Sequence, residues 1–216
     1  MSVANLKKPK AAYHHGDLRE ALLKAAEIEL ADKGVEAFSL RAVAKRAGVS
    51  HGAPAHHFDD AAGLLTQLAA KGYGRFIRTQ KAFQRKAAKD PASQLAASGL
   101  GYIDFAVKHT ALFKLMFSSE RTNRQDPALS AGADAAFDKL VEDVSHVLGR
   151  DPHHDEKAMA DVMSAWVIAH GLADLMIARR FERMEFFAAM STAQRHELFS
   201  EIILRAIHSQ SDGDRS

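Results

Sequence analysis

The segment from Ser39 to Phe58, S-L-R-A-V-A-K-R-A-G-V-S-H-G-A-P-A-H-H-F, constrains this chain more than any other. Leu40, Val43, Ala44 and Ala47 recur on one face at helical spacing. Ser39 stands where an N-cap belongs, with a hydroxyl suited to accept a free backbone N–H. Gly48 supplies the left-handed residue that closes a helix without a Cβ penalty. Val49 plugs the corner, and Ser50 caps a second helix running to about Phe58. Two short helices joined by a tight turn containing Gly make a helix-turn-helix.

The flanking sequence completes a three-helix unit. Asp17 and Glu20 form a capping-box-like pair at the start of a first helix. Leu18, Ala21, Leu22, Ala25, Ala26 and Leu30 are its buried stripe, and Gly34 ends it. Val35 and Phe38 lead under the helix-turn-helix. A unit this small holds a weak core, so it leans on a fourth helix. That helix starts near Asp60 and runs past residue 80, with Leu64, Leu65, Leu68, Ala69, Tyr73, Phe76 and Ile77 on its apolar face. Gly72 and Gly74 each weaken its middle by about 1 kcal/mol and are expected to mark a flexible point. The helix reads as a rod connecting two bodies.

Beyond it the punctuation is regular. Asp90-Pro91, Asp126-Pro127 and Asp151-Pro152 each suit a helix entrance, Asp as cap and Pro at the first helical position. Helices are predicted over 92–109, 111–117, 128–148 (closed by Gly149), 155–183, and 192–208 (opened by a Ser191…Gln194 capping box). Nothing alternates with period two. The expected fold is all α, about nine helices, divided into a helix-turn-helix domain at 1–60 with a basic N-terminal arm and a larger helical domain at 61–216. The last residues, S-Q-S-D-G-D-R-S, read as a polar disordered tail.

The predicted eighth helix has two apolar stripes. Met159, Met163, Trp166, His170, Ala173 and Ile177 form one; Val162, Ala165, Ala169, Leu172 and Met176 form the other. A helix apolar on two sides cannot sit half in water. One stripe is expected to face its own domain and the second, with its small residues, a partner chain. Leu198, Ile202 and Ala206 of the last helix have matching spacing. The expected result is a two-fold homodimer with a four-helix bundle at its interface; a monomer whose loops cover the eighth helix is the alternative.

Composition narrows the function classes. There are no cysteines, so disulfide, thiol and thiolate–metal chemistry are excluded. No apolar run approaches a membrane span, and M-S-V-A-N-L-K-K-P-K lacks a signal-peptide core; the cytoplasm is the expected compartment. Residues 1–58 carry nine Lys/Arg against six Asp/Glu, and the rest twenty against twenty-one. A basic head on a near-neutral body is the electrostatic footprint of a DNA-binding unit fused to something else. Lys7, Lys8 and Lys10 read either as a disordered tail or as an arm touching phosphates or the minor groove.

In a helix-turn-helix the second helix enters the major groove of duplex DNA. Ser39, Arg41 and Lys45 are candidates for phosphate contacts. Ser50, His51, Gly52, Ala53, Pro54, His56 and His57 surround base readout, with Ala53 or Pro54 placed to meet a thymine methyl. His57 also suits packing or a phosphate contact, and Arg46 a solvated helix face. Two copies place their reader helices about 34–36 Å apart on a palindromic operator.

Toward the other end, Phe105, His109, Phe113, Met116, Phe117, Phe137, Trp166 and His170 suit the lining of a site for an apolar or aromatic small molecule. Plain core packing is the competing reading for each. No metalloprotease, P-loop or serine-hydrolase motif occurs, and no cofactor or enzyme activity is expected. The twelve histidines, including the pairs His14-His15, His56-His57 and His153-His154, leave a metal- or haem-binding protein as a less favoured reading. A DNA-binding regulator controlled by a protein partner, without a small-molecule effector, is the other alternative.

The segment Leu18–Leu65 resembles the TetR/AcrR family of bacterial transcriptional regulators. The matching features are Ala25-Ala26…Gly34, Ser39-Leu40-Arg41, Val43-Ala44, Ala47-Gly48-Val49-Ser50, Gly52, His57-Phe58 and Leu64-Leu65. Trp166, His170 and Gly171, with Phe105–Phe117, resemble a subgroup with a Trp…His-Gly signature. The resemblance implies three helices that bind DNA, a remainder forming a ligand pocket and dimer interface, and effector-driven release from the operator. Two departures stand out: Ala61 replaces the family's Lys at the start of the fourth helix, and Pro54-Ala55 replaces Leu-Tyr in the reader helix.

Overall fold

The computed structural model describes residues 15–208, and the side chains of residues 18–207 within them. The basic arm, the Asp17 cap and the polar tail lie outside what is described. The described residues form α1 (His15–Lys33), α2 (Leu40–Ala47), α3 (Ala53–Phe58), α4 (Ala61–Gln84), α5 (Pro91–Lys108), α6 (Thr110–Phe117), α7 (Pro127–Leu148), α8 (Glu156–Ile177), α9 (Glu185–Ala188) and α10 (Thr192–His208). A single 3-10 turn, Phe181–Arg183, separates α8 from α9. The fold is all α. The first helix is already running at His15, two residues before Asp17.

Chain punctuation acts locally. Gly34, Gly48 and Gly149 adopt φ of 72°, 70° and 64° and end α1, α2 and α7. Asp90 accepts from Ser93 N and Asp126 from Ala128 N and Leu129 N, each with Pro at the first helical position. Ser191 and Gln194 exchange the two bonds of a capping box. The third Asp-Pro behaves differently. Asp151 accepts from His153 N and pairs with His154 Nδ1 in a turn, and Asp155 caps α8 instead through Ala158 N. The eighth helix also stops early. Arg179 takes φ 55°, and the Arg179 and Arg180 N–H groups bond back to Met176 O and Leu175 O. This is the helix-closing geometry usually given to glycine.

α4 organises the packing. It touches α1 and α3 at one end and α5, α6 and α7 along the rest. Leu64, Leu65, Leu68, Ala69 and Phe76 are buried along it. Of its two mid-helix glycines, Gly72 is at a close contact, since a Cβ there would sit 2.6 Å from Met116 Sδ, whereas one on Gly74 would meet only the Arg78 side chain at 3.4 Å. On α5, a Cβ on Gly101 would lie 2.7 Å from the Gln80 Cα, so the α4 and α5 backbones meet there.

α8 packs on α5, α7 and α10. Among the described residues it is the one helix long and apolar enough to cross a membrane by length and composition, a length the apolar runs were not expected to reach. Of the stripe expected to face its own domain, Ala173 and Trp166 do turn inward, but the second stripe turns inward as well. Val162, Ala165, Ala169 and Leu172, expected at a dimer interface, are buried inside the protomer, because the small residues admit close contact with neighbouring helices. The outward face carries Met163, Val167 and Leu175, exposed by 42%, 66% and 43%. Met176, Leu198, Ile202 and Ala206 are half-buried.

Alanine is ordinarily the better helix former by about 1 kcal/mol. At position 101 the added methyl must push two backbones apart, so Gly101→Ala should lose about 1–3 kcal/mol in urea unfolding. A gain in stability would contradict the close α4–α5 approach.

Candidate nucleic-acid interface and interior cavity

The helix-turn-helix closes as its residue types dictate. The Gly48 and Val49 N–H groups return to Lys45 O and Ala44 O, ending α2 with the left-handed cap. Val43 and Ala44 are buried, whereas Arg41 and Lys45 are exposed on the opposite side. Ser39 sits at the N-cap in extended conformation, but its hydroxyl makes no cap bond. Ser50 is likewise not a side-chain cap. Its carbonyl accepts Ala53 N, and Gly52 occupies the N-cap of α3.

The outer surface of this unit presents Ser50, His51, Gly52 and His56, all exposed, with Ala53 half-buried. Pro54 departs from expectation: it is buried in the first turn of α3 and cannot meet a base. Its fixed φ suits that position, where no N–H is needed. His57 is half-buried with its ring tilted on Phe58, 6.3 Å between centroids. Arg46 is not solvated freely. It bonds Glu29 at 3.1 Å and Asp32 at 2.7 Å, strapping α2 to α1.

The joint into α4 is tight. Asp60 N bonds Phe58 O across Asp59, which is held at φ 63°, ψ −66°, a strained γ-turn. A Cβ on Gly63 would lie 2.1 Å from Phe58 O, so only glycine fits. Asp60 caps α4 through Gly63 N. Arg19 lies 5.0 Å over the Phe58 ring and donates to Gln67, tying α1 to α4 past α3. Lys71–Glu20 and Arg75–Glu27 add two ion pairs between α1 and α4.

The body holds a cavity of about 400 Å³ between α4, α5, α7 and α8, open to solvent at its rim. Of the residues expected to line it, Met116, Phe117, Phe137 and Trp166 do. Phe105 and Phe113 are instead wholly buried core, in edge contact with Phe76 and Tyr102. His109 caps the α5–α6 corner against Phe105, 5.1 Å between centroids, and lies off the cavity. Burial there lowers its pKa, with nearby Arg75 acting the same way. His170 stands one layer behind the wall. Its Nδ1 meets the Tyr102 hydroxyl at 2.7 Å, and its Nε2 lies 3.7 Å from Asp174.

Ala165 and Ala169, expected at the dimer interface, form part of this wall, as do Tyr73, placed by its spacing on the apolar face of α4, and Gln80, Ser98 and Tyr102, which apolar spacing did not single out. Burial raises the pKa of the Tyr102 phenol, against a smaller opposing effect of Trp166, and raises that of Tyr73. Both stay protonated. Phe137 and Trp166 meet edge to face, 6.0 Å apart. Arg124, Ser130 and Asp134 are exposed at the rim. Among the described residues, no three His, Asp or Glu side chains converge as a metal site.

One loop touches both regions. Between α6 and α7, Thr122 and Arg124 border the cavity. Between them Asn123 N donates to Thr66 Oγ1 of α4 at 2.8 Å. Arg121 reaches the other way and donates to the Val35 and Glu36 carbonyls between α1 and α2.

Comparison with known proteins follows this division. Residues 22–75 match the family model for bacterial regulatory proteins of the tetR family. Residues 95–198 match the model for a Tetracyclin repressor-like C-terminal domain. A protein with unknown function from Rhodococcus sp. RHA1 is 28% identical, with 91% of this chain and 98% of that chain covered at a TM-score of 0.74. The putative regulatory protein SCO4313 is 22% identical, covering 91% and 99%, at a TM-score of 0.67. A TetR-like transcriptional regulator from Rhodococcus sp. RHA1 is 16% identical, covering 94% and 100%, at a TM-score of 0.63. No curated protein matches. With a helix-turn-helix head and an all-helical body each matched by its own model, the chain belongs to the TetR family of DNA-binding transcriptional regulators.

Proposed function

We propose that this regulator is a ligand-responsive repressor that binds a palindromic operator as a homodimer, acts in the cytoplasm, and releases DNA when a small apolar or aromatic effector enters the body. The observation that carries this reading is the loop 118–126, one part of which borders the cavity while Arg121 holds the head. The pocket that this loop borders has about 400 Å³ of room and a mainly apolar lining, which suits a small apolar or aromatic effector.

The head reads DNA in two ways. Arg41 and Lys45 lie one turn apart on the exposed face of α2 and neutralise phosphates, with the unbonded Ser39 hydroxyl beside them. His51 and His56, with Ser50, Gly52 and Ala53, meet the groove floor. Pairing places two such heads about one helical turn, 34–36 Å, apart. The pairing surface is the outward stripe of α8 with α10. Met163, Val167 and Leu175 are large apolar side chains left exposed along it, and Ile168, Ile202 and Ala206 line a shallow groove with Ser164 and Arg205. Gly171 on the exposed side admits close approach.

Release is a shift between two dimer shapes, driven by the effector's differential affinity for them. An occupant that moves Thr122 or Arg124 moves Arg121 with them, and with it the α1–α2 turn. α4 carries the same displacement to α3 through the Asp59–Asp60 joint. Operator release in a small-molecule panel, read by anisotropy of a labelled duplex, tests the whole reading.

Three outcomes are expected. Arg41→Ala weakens binding on all sequences and lowers the salt slope by about 1, whereas His51→Ala changes sequence preference; uniform loss from His51→Ala removes it from base readout. Val167→Glu yields monomers by light scattering with the helical content unchanged, and a persistent dimer would move the interface elsewhere. Arg121→Met leaves Trp166 fluorescence responsive to an effector but flattens its effect on DNA affinity; an unaltered DNA response would remove the Arg121 link.

A further inference from the structure

From Ala47 to Ala70 the chain carries no Lys and no Arg. This stretch holds the turn, the whole of α3 and the first turns of α4, and so includes the surface proposed to meet the groove. Its ionisable residues are His51, His56, His57, Asp59 and Asp60. With the imidazoles neutral it brings two carboxylates and no cation to a polyanion. Much of a protein's affinity for duplex DNA comes from neutralised phosphates, so the charge balance of this surface has the wrong sign unless imidazoles are charged.

Two of the three are placed to change it. His51 and His56 are exposed, and among the described residues neither makes a hydrogen bond or an ion pair. The His56 ring folds back over the first turn of α3, its Nε2 3.8 Å from where a Gly52 Cβ would sit. His51 is the residue before Gly52, so both imidazoles stand at the turn end of the helix. His57 is half-buried against Phe58 and is not part of the assignment.

Their charged surroundings are sparse. α2 presents Arg41 and Lys45, both exposed, while Arg46 is bonded to Glu29 and Asp32 of α1. Arg19 of α1 is engaged over the Phe58 ring and with Gln67. Asp59 and Asp60 follow α3, and Asp60 accepts from Gly63 N. α4 adds nothing ionisable before Lys71, which pairs with Glu20. Neither ring is thus bonded to a carboxylate that would satisfy it in advance.

We propose that His51 and His56 bind duplex DNA as imidazolium ions, each taking a proton from solvent as the head docks and donating N–H groups to phosphate and guanine acceptors. A neutral imidazole has one donor and one acceptor, whereas an imidazolium has two donors. Phosphate oxygens, guanine N7 and guanine O6 only accept. The negative field of the duplex favours the positively charged form of a group brought against it. Binding and protonation are therefore linked, and each strengthens the other by the same factor. Imidazole is the side chain whose charge ordinarily changes between pH 5 and 8, so operator affinity becomes a function of pH in that interval. The assignment rests on the reading of these two residues as groove contacts, and it adds their charge state.

The test uses full-length protein and a duplex selected from a random pool by the wild-type chain. The duplex carries a rhodamine, which does not titrate in this interval, and binding is read by anisotropy at constant ionic strength. Affinity should rise about tenfold or more between about pH 8 and about pH 6, within the linkage limit of about tenfold per pH unit for each proton taken up. The salt slope should steepen by about 1 for each imidazolium over the same interval. His51→Gln and His56→Gln keep a polar side chain that cannot be charged. Each should remove part of the pH dependence, and both together most of it, the loss of affinity being larger in acid. Both sites are exposed, so melting temperatures should stay at the wild-type value. His56→Lys, a fixed cation, should raise affinity at the alkaline end and flatten the profile. His153→Gln with His154→Gln, in the turn between α7 and α8, should leave the profile as it is.

A flat pH profile in a wild-type chain whose sequence preference is nonetheless altered by His51→Gln would overturn the imidazolium assignment and leave the groove contacts standing. No effect of either glutamine substitution on affinity or preference at any pH would overturn the groove contacts, and the proposal with them. A pH dependence that survives the double substitution would also overturn it, and would place the titrating group elsewhere in the chain.

Discussion

Everything in this protein depends on α4 being held at both ends. Its first turns are buried against α1 and α3, through Leu64, Leu65 and Leu68. Its later turns are pressed onto α5 so closely that Gly101 meets the Gln80 backbone. Neither body is therefore free of the other. A rigid helix clamped in this way transmits rotation rather than absorbing it, since packed interiors are bistable and not continuously deformable. The strained joint at Asp59 and the glycine required at 63 make the connection to α3 equally stiff.

The interior trades stability for room. The aromatic cluster of Phe76, Tyr102, Phe105, Phe113 and Phe117 is close-packed on one side, three of its ring pairs edge to face and Phe113–Phe117 tilted. On the other side Phe76, Tyr102 and Phe117 border open space. A chain selected for stability alone would fill that space and pair Gln80, whose buried carboxamide oxygen has no hydrogen-bond partner. The defect sits instead on the helix that leads to the DNA-binding unit, in a cavity bordered by the loop whose Arg121 grips the α1–α2 turn. Two physical routes, helix and loop, thus converge from one cavity on one head.

Local signals in the sequence were legible wherever a single residue type decides a backbone conformation. Gly34, Gly48 and Gly149 closed their helices, Asp90 and Asp126 opened theirs, and Ser191 with Gln194 formed a capping box. The third Asp-Pro misled because Asp155 competes for the same role four residues later, and Arg179 ended α8 in a conformation that residue type does not announce. Azimuth was harder to read than period. Both stripes on α8 are apolar, and only packing on α5, α7 and α10 decides that Val162, Ala165, Ala169 and Leu172 turn inward. The cavity was half legible. Large residues suggest a lining, yet Phe105 and Phe113 fill space while smaller Ala165, Ala169 and Ser98 leave it. A void is made by what is absent, and spacing does not record that. Gln80 was invisible as a site residue because a lone amide on an apolar stripe carries no motif.

The central claim is that what the body holds sets where the heads stand. The chain has no cysteine, so Ala31→Cys on the exposed side of α1 gives one spin label on each head. Distances between the two labels of a dimer should be narrow on a selected operator and should shift by several ångström when a releasing ligand is added. Identical label distances before and after ligand, while the operator is nonetheless released, would contradict the account.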